Sequence, residues 1–374
     1  MTEEDVHLFD VLVIGAGAAG VGVGVALKHA GIDNFLILDR YQVGASFERW
    51  PEETQFITPS FPTNSIGMLD LNSVAIGVSP AYSLGVEHPT GKEFAAHLCS
   101  VAAVFELPVC KDAEVLQVKR FDDCFLVETA EHTLRSKLVI WAAGEFQYPQ
   151  AKPFPGAELC RHTATIPSYE DLDGDDFIVI GGYESGVDAA YHLSCYDKRV
   201  RLIDAGCPWE DETSEPSVAL STFSLERMQA EWFEAQTELI PHCPVSKVLR
   251  DGDKYQVHAA GGLLFESRSA PLLAIGFEGS LRLVSDLFEK REDGYPLLSE
   301  QDESTVTPGL FLCGPAVRHD HHVFCYIYKY RQRFAVVAKA IATQLGLPAE
   351  ELENYRKWGM YLDDLSCCGE ECVC

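Results

Sequence analysis

The stretch that decides the fold runs from residue 8 to residue 20 and reads LFDVLVI followed by GAGAAG. The first seven residues form a short apolar run, which is typical of a buried parallel strand, and the glycines form a turn. A helix-compatible stretch continues to His29, and a second apolar run at 35–38 ends on Asp39. This order of strand, G-x-G-x-x-G turn, helix, strand and acid predicts a βαβ dinucleotide-binding unit.

The glycines and the acid have separate physical roles in such a unit. Gly15 allows the tight turn, Gly17 admits a pyrophosphate close to the backbone, and Gly20 lets helix and strand pack closely. The helix N-terminus supplies unpaired N–H groups for the phosphates. Asp39 can accept hydrogen bonds from a ribose diol.

A second unit of the same design lies midway along the chain. An apolar strand at 176–180 leads into GGYESG at 181–186, a helix-compatible stretch at 187–193 and a strand that ends on Asp204. Its turn is a looser match to the motif. Two dinucleotide-binding units in one chain imply two nucleotides placed face to face, the arrangement for passing a hydride from a nicotinamide to a flavin.

Two apolar strands that end in small residues, at 138–144 and 272–277, are expected to carry the chain between the units. A last strand at 307–315 precedes a long helix-compatible stretch at 323–345. The predicted fold is α/β, with two Rossmann-like (three-layer ββα) dinucleotide-binding domains, the second inserted in the first. The predicted boundaries are 1–165 and 297–350 for the FAD-binding domain, 166–296 for the NAD(P)-binding domain, and 351–374 for a C-terminal segment with a Cys-rich tail.

Charge narrows the choice of partners. The 374 residues include 29 Lys and Arg against 57 Asp and Glu, a formal net charge of −28. Such a surface repels phosphate backbones and anionic lipids, so neither nucleic acid nor membrane is an expected partner. Adaptation to salt or for solubility explains the charge equally well. The acidic start at 1–5 lacks the basic region of a signal peptide, so the 13 cysteines are expected to be thiols in a cytoplasmic protein.

The chain resembles the two-dinucleotide-binding-domain flavoproteins, a superfamily of thioredoxin-reductase-like enzymes and flavin monooxygenases, over about residues 8–346. This resemblance implies FAD and either NADH or NADPH as cofactors. The residues it implies for FAD are Gly15, Gly17, Ala18, Ala19, Gly20, Asp39, Arg40, Val115, Ala143, Gly144, Gly314 and Pro315. Those it implies for the nicotinamide nucleotide are Gly181, Gly182, Glu184, Ser185, Gly186 and Asp204.

Two groups within the superfamily compete as the nearest likeness. Residues 50–67 and 88–98 resemble the bacillithiol-disulfide-reductase-like group. Phe154, Gly156 and His162 resemble the linker signature of flavin monooxygenases, although their spacing differs from it.

Three departures from the superfamily pattern affect the expected chemistry. Pro315 stands where many relatives have an acid that contacts the flavin ribityl chain. The second domain has no Cys-x-x-Cys, so an internal disulfide against the flavin is not expected. The acidic stretch at 209–215 follows Asp204, where a 2′-phosphate would need Arg, so the sequence predicts NADH over NADPH, or a degraded nucleotide site.

The end of the chain is unusually rich in cysteine. Cys367, Cys368, Cys372 and Cys374 lie within the last eight residues. One interpretation is a thiol relay that carries electrons from the flavin to a disulfide substrate, and another is capture of a soft metal. Mercuric reductase, of the same superfamily, is similar in having a vicinal cysteine pair near its C-terminus. An incidental or zinc-trapping tail is the third interpretation, and no resident metal is expected.

A histidine-rich loop follows Gly314 and is expected to lie beside the flavin ring. His319 and His322 are candidate proton donors, and Cys325 is the candidate thiol nearest the flavin. The alternative is a polar helix N-terminus with no catalytic role.

Three functions remain open from the sequence. The first is an FAD enzyme that moves electrons from NAD(P)H to a small-molecule or protein disulfide, or to a soft metal. The second is an NAD(P)H-dependent flavin monooxygenase that uses O₂. The third is a flavin-binding redox sensor with a decayed nicotinamide site. A homodimer is expected by family likeness alone.

Overall fold

The computed structural model describes residues 7–62, 69–213 and 215–367. Its strands, in chain order, are β1 (Leu8–Ile14), β2 (Phe35–Leu38), β3 (Val109–Cys110), β4 (Val115–Phe121), β5 (Cys124–Thr129), β6 (Thr133–Trp141), β7 (Arg161–His162), β8 (Asp176–Ile180), β9 (Arg199–Ile203), β10 (Thr237–Ile240), β11 (Val245–Asp251), β12 (Lys254–Ala259), β13 (Leu264–Ser267), β14 (Leu272–Leu273), β15 (Leu310–Leu312), β16 (Arg318–His319) and β17 (His322–Val323).

The α-helices are α1 (Ala18–His29), α2 (Ala45–Glu48), α3 (Pro80–Leu84), α4 (Gly91–Val104), α5 (Glu184–Cys195), α6 (Thr222–Met228), α7 (Glu231–Gln236), α8 (Ile327–Tyr330) and α9 (Phe334–Leu345). Helix α4 begins with a capping box, in which Thr90 accepts a hydrogen bond from the Glu93 backbone N–H and the Glu93 carboxylate accepts one from Thr90. No helix within the described ranges is long and apolar enough to cross a membrane.

The first sheet has seven strands in the order β3-β2-β1-β6-β5-β4, with β15 paired to β6. Strands β1, β2, β3, β6 and β15 are parallel, whereas β4, β5 and β6 form an antiparallel meander. Residues 11–14 of β1 are all buried, in a core that also contains residues of α1 and α9, which explains why they are apolar without alternation.

The second sheet repeats this design. Its parallel strands run in the order β10-β9-β8-β14-β7, and β11, β12 and β13 form a separate antiparallel sheet. Since its strands all fall between residues 161 and 273, the chain leaves the first sheet after β6 and returns to it at β15. The predicted α/β fold with two Rossmann-like units is therefore confirmed. We call the parts built on these sheets the first unit and the second unit.

One region differs from the sequence prediction. The stretch at 323–345 is not one helix, because Val323 belongs to the β16–β17 hairpin and the helical part is divided into α8 and α9. The segment that follows α9 packs into the first unit: Leu352, Tyr355 and Met360 are buried in its core.

Candidate functional site

The turn between β1 and α1 needs two of its glycines for steric reasons. Gly15 has φ +108°, and a Cβ added there would lie 2.5 Å from the carbonyl oxygen of Ala142. A Cβ on Gly20 would lie 1.8 Å from the carbonyl oxygen of Gly15. A Cβ on Gly17 would meet no atom within 4 Å, so the space in front of the helix N-terminus is open. This is the space that a pyrophosphate needs.

Asp39 lies directly beside this turn. Its Oδ2 accepts a hydrogen bond from the Ala16 N–H at 2.8 Å, and its Oδ1 accepts one from the Tyr41 N–H at 2.8 Å. Burial raises the pKa of this carboxyl, and the two backbone hydrogen bonds oppose the rise. The carboxylate therefore stiffens the turn and keeps lone pairs free for a ribose.

A cleft at the same edge of the sheet brings together several of the predicted FAD residues. It is lined by Gly15, Asp39, Arg40, Val115 and Ala143. The Arg40 guanidinium is held there by the Tyr148 hydroxyl at 2.7 Å and the Glu114 carboxylate at 2.9 Å.

Gly144 and Gly314 follow the neighbouring strands β6 and β15, which places them at one edge of the sheet. Both have left-handed backbone, with φ +63° and φ +111°. A Cβ on Gly314 would lie 3.3 Å from Cβ of Ala19, so this glycine lets the β15 loop approach the first turn of α1. Pro315 presents its carbonyl oxygen to the Arg318 guanidinium at 2.6 Å.

Glu145 is a candidate that the sequence reasoning missed. It directly follows Gly144. Part of the residue is accessible to solvent, but protein atoms surround its carboxyl group. Burial raises the pKa of this carboxyl, and the Arg318 charge opposes the rise. Its only signal in the sequence is an acid directly after the small residues that end β6.

The turn between β8 and α5 repeats the first in detail. Gly181 has φ +103°, and its Cβ would lie 2.3 Å from the Ala274 carbonyl oxygen. A Cβ on Gly186 would lie 1.8 Å from the Gly181 carbonyl oxygen. Asp204 Oδ2 accepts a hydrogen bond from the Gly182 N–H at 2.6 Å, as Asp39 does from Ala16.

The front of the second turn is covered. Tyr183 stands where the first turn has Gly17, and its hydroxyl donates to the carbonyl oxygens of Pro216 at 3.0 Å and Ala219 at 3.1 Å. The Glu184 carboxylate accepts hydrogen bonds from the Ser221 N–H at 2.5 Å and from the Ser224 hydroxyl at 2.6 Å. Ser185, by contrast, is exposed.

Residues 215–221, which we call the strap, also contact the first unit. Lys329 Nζ lies 2.6 Å from Glu215 Oε1 and donates to Ser217 Oγ at 3.0 Å. The Tyr326 hydroxyl donates to the Pro216 carbonyl oxygen at 2.6 Å. The strap thus joins the covered turn to the segment at 325–329.

Cys325 lies at this contact. Its Sγ is 3.0 Å from Ser217 Oγ. Burial raises the pKa of the thiol, while the Ser217 hydrogen bond and the charges of Lys329 and Arg318 oppose the rise.

The two predicted histidines lie elsewhere in the loop. His319 is buried, with Nε2 2.5 Å from Oδ1 of the buried Asp302, and Arg333 Nε donates to the other oxygen of that carboxylate at 3.0 Å. Burial lowers the pKa of His322, with the neighbouring His321 charge adding to the effect and a hydrogen bond with the Leu365 backbone opposing it.

Most of the predicted cysteine tail lies outside the described residues. Cys367 ends a short 3-10 turn, and Cys368, Cys372 and Cys374 lie outside the described residues. Among residues 7–62, 69–213 and 215–367, no group of three His, Cys, Asp or Glu side chains could hold a metal ion.

A buried ion pair that the sequence reasoning missed fastens the two units together. On α5, Asp188 accepts a hydrogen bond from Arg227 Nη1 at 2.8 Å and another from the Thr54 hydroxyl at 2.7 Å. Arg227 also donates to Gln55 Oε1 at 2.8 Å. Nearby, Glu53 accepts a hydrogen bond from the Ser168 hydroxyl at 2.6 Å. Residues 53–55 of the first unit are thereby anchored on the second.

Comparison with known proteins assigns the family. The pyridine nucleotide-disulphide oxidoreductase family matches residues 12–314. The chain belongs to this family. Membership gives it FAD and NAD(P)H as cofactors, and the family is one of oxidoreductases.

Individual relatives differ in their sequence identity to this chain and in the length over which they match it. The bacilliredoxin reductase Bdr of Bacillus subtilis is 24% identical over 312 residues, which cover 81% of this chain and 88% of that protein. The uncharacterized oxidoreductase CzcO of Bacillus velezensis is 29% identical over 193 residues, 50% of this chain, so the match spans about half (52%) of that relative's length.

Solved structures confirm the fold. The bacillithiol disulfide reductase Bdr from Staphylococcus aureus superposes with a TM-score of 0.76 at 18% identity, over 90% of this chain and 99% of that one. The flavin-containing monooxygenase from Stenotrophomonas maltophilia gives 0.70 at 17% identity, over 90% and 99%. Both nearest likenesses expected from the sequence are therefore structural neighbours.

The first glycine turn fits its cofactor better than the second glycine turn does. The first turn has an open front, a ribose acid and a helix N-terminus, which is what the adenine end of FAD requires. The second turn has the acid and the same backbone, but its front carries Tyr183 and the strap.

Proposed function

We propose that this chain is an FAD-dependent reductase that transfers electrons from NAD(P)H to a disulfide substrate. The observation that carries the proposal is the Cys325 thiol at the contact between the units, 3.0 Å from Ser217 Oγ and four positions before the buried Lys329. The Bdr relatives support it, because their names describe bacilliredoxin and bacillithiol disulfide reductases.

In this proposal the chain supplies binding and thiol chemistry. The first glycine turn and Asp39 hold FAD, and the second glycine turn and Asp204 hold NAD(P)H. When bound, the two cofactors together supply the two electrons that convert a disulfide into two thiols.

Cys325 is the proposed nucleophile. Its thiolate attacks one sulfur of the substrate disulfide, so a mixed disulfide forms and the other substrate sulfur leaves as a thiolate. The two electrons that the bound cofactors would supply then cleave the mixed disulfide, which releases the second substrate sulfur and returns Cys325 to its thiolate form. Ser217 donates a hydrogen bond to the Cys325 sulfur, and the Lys329 ammonium lowers the cost of its negative charge. The cysteine tail at 367–374 is a second proposed thiol relay.

The test begins with an anaerobic titration of the purified yellow protein with NADH and NADPH. We expect either nucleotide to bleach the flavin, and the reduced protein to turn over with low-molecular-weight disulfides. Cys325→Ser should still be bleached but should lose disulfide turnover at least tenfold, whereas the control Cys110→Ser, an exposed thiol of the first unit, should keep it.

Several outcomes would contradict the proposal. Unchanged turnover in Cys325→Ser excludes this thiol, and loss on deleting residues 368–374 would assign the tail instead. Rapid oxygen uptake with a hydroxylated product would establish monooxygenase activity, and failure of both nucleotides to bleach the flavin would leave the sensor function.

A further inference from the structure

A cavity of about 400 Å³ lies at the edge of the first sheet where β1, β6 and β15 begin. Leu8, at the start of β1, and Gly309, just before β15, are part of its wall. The glycine turn follows the opposite end of β1, roughly 20 Å away at ~3.3 Å per residue. The cavity is therefore separate from the first nucleotide site, and none of its lining residues belongs to the second unit.

Basic residues outnumber acidic residues on the wall of this cavity. Arg120, Arg135 and Lys137 line it, together with one acid, Asp123. This composition is unusual in a chain with 29 Lys and Arg against 57 Asp and Glu. Lys137 is paired with Asp10, so the two guanidinium groups against Asp123 attract an anion locally, although the molecule as a whole repels it.

Within the part of the chain that the structure describes, neither of the two guanidinium groups has a carboxylate partner. Among the described ion pairs, Lys137 is joined to Asp10 at 2.7 Å, whereas Arg120 and Arg135 are in none. In a chain this acidic, guanidinium groups that lack a carboxylate keep most of their donors for a ligand.

These guanidinium groups are also held in place. Arg120 donates to the carbonyl oxygens of Asp122 and Pro308, each at 3.2 Å, and lies over the Phe125 ring. Arg135 Nη2 donates to the sulfur of the buried Cys124 at 3.6 Å. Groups that are fixed before binding lose less entropy when a ligand arrives.

Much of the remaining wall is apolar. Leu138 of β6 and Leu345 at the end of α9 both contribute to it. A volume near 400 Å³ is in the range of small-molecule sites. We propose that this cavity binds a small organic anion, whose carboxylate or phosphate group contacts Arg120 and Arg135 and whose apolar part contacts the two leucines.

The test uses the FAD-loaded protein at low ionic strength. Binding of pyrophosphate and of citrate is measured by titration calorimetry in the parent protein, Arg120→Gln and Arg135→Gln. The matched control is Arg250→Gln, because Arg250 pairs across an exposed hairpin with Tyr255 as Arg120 pairs with Phe125.

We expect at least one anion to bind and each cavity variant to weaken it about tenfold or more, with Arg250→Gln unchanged. Binding of pyrophosphate alone identifies a phosphate ligand, and binding of citrate alone a carboxylate ligand. Arg120 is exposed, so Arg120→Gln should melt with the parent protein and keep its reduction by NADH. The proposal is overturned if neither anion binds, or if the cavity variants bind as well as the parent, which would place the anion at a nucleotide site.

Discussion

The two glycine turns of this chain have nearly the same backbone but different surroundings. Their first glycines have φ +108° and +103°, and the N-cap residues Gly17 and Tyr183 have φ −79° and −82°. In front of Gly17 the space is open, whereas Tyr183 is bonded to the strap. Backbone geometry therefore defines the dinucleotide fold, but the side chain at the middle position decides how open the site is.

The strongest test of this shared geometry is to add one methyl group at equivalent positions. Gly20→Ala and Gly186→Ala each place a Cβ 1.8 Å from a carbonyl oxygen, so each should lower the stability of its unit by more than about 3 kcal/mol. Thermal melting and flavin absorbance check this. Gly20→Ala should lose FAD and Gly186→Ala should retain it; equal behaviour would show that the two units do not fold separately.

The next test gives the first turn the side chain of the second. Without FAD, Gly17→Tyr should melt like the parent apoprotein, because its Cβ meets nothing within 4 Å, yet it should weaken FAD binding about 100-fold or more by filling the pyrophosphate space. Reconstitution of the apoprotein with FAD measures the affinity. A Gly17→Tyr protein that stays yellow through dialysis would contradict the importance of the open front.

The choice of nicotinamide tests the second turn alone. Asp204 lies beside the second turn, the acidic residues 210–212 follow it in the sequence and are exposed, and the Arg201 guanidinium is bonded to Asp176 at 2.7 Å. A 2′-phosphate there would be repelled, so kcat/KM should favour NADH over NADPH by about tenfold or more. Equal values for the two nucleotides would show that a cation reaches this position.

The strap is expected to compete with the nucleotide. Glu215→Gln weakens its ion pair with Lys329, so KM for NADH should fall about threefold at an unchanged rate of flavin reduction. Glu353→Gln is the control, since Glu353 forms a similar pair with Lys339 at 2.7 Å on the exposed surface. A rise in KM would mean that the strap helps to hold the nucleotide.

The smallest expected effect concerns Cys325, whose thiol contacts Ser217 of the strap. Because burial raises the pKa of Cys325, its alkylation by iodoacetamide should begin at a higher pH than that of the exposed Cys110. Lys329→Met removes a charge that opposes the rise, so it should move the onset to still higher pH. Peptide mass spectrometry after timed alkylation gives both profiles, and a shift to lower pH would contradict the proposed role of Lys329.

The sequence predicts the two units well because their rules are local. Strand, turn, helix and acid lie within 32 consecutive residues at 8–39, and steric limits at Gly15 and Gly20 act on neighbouring atoms. The loop after Gly314 was harder to predict. His319 bonds to Asp302, 17 positions earlier, and it belongs to the hairpin that also contains Val323, where the sequence predicts a helix to begin.

The strap and the fastening between the units could not be predicted for the same reason. Lys329 and Glu215 are 114 positions apart, and Thr54 and Asp188 are 134 positions apart. No periodicity or motif connects such residues. Glu145 was missed because it stands out only by its surroundings, among them Arg318, which is 173 positions away in the sequence.

The buried contact between Asp188 and Arg227 has a consequence for the timing of turnover. If the second unit rotated away from residues 53–55, the hydrogen bonds of Thr54 to Asp188 and of Arg227 to Gln55 would break. At about 1.5 kcal/mol for each hydrogen bond to a charged group, fewer than about one molecule in 100 would be swung open at any moment. We therefore expect the two units to keep their relative position during a catalytic cycle, and only ligands and short loops to move.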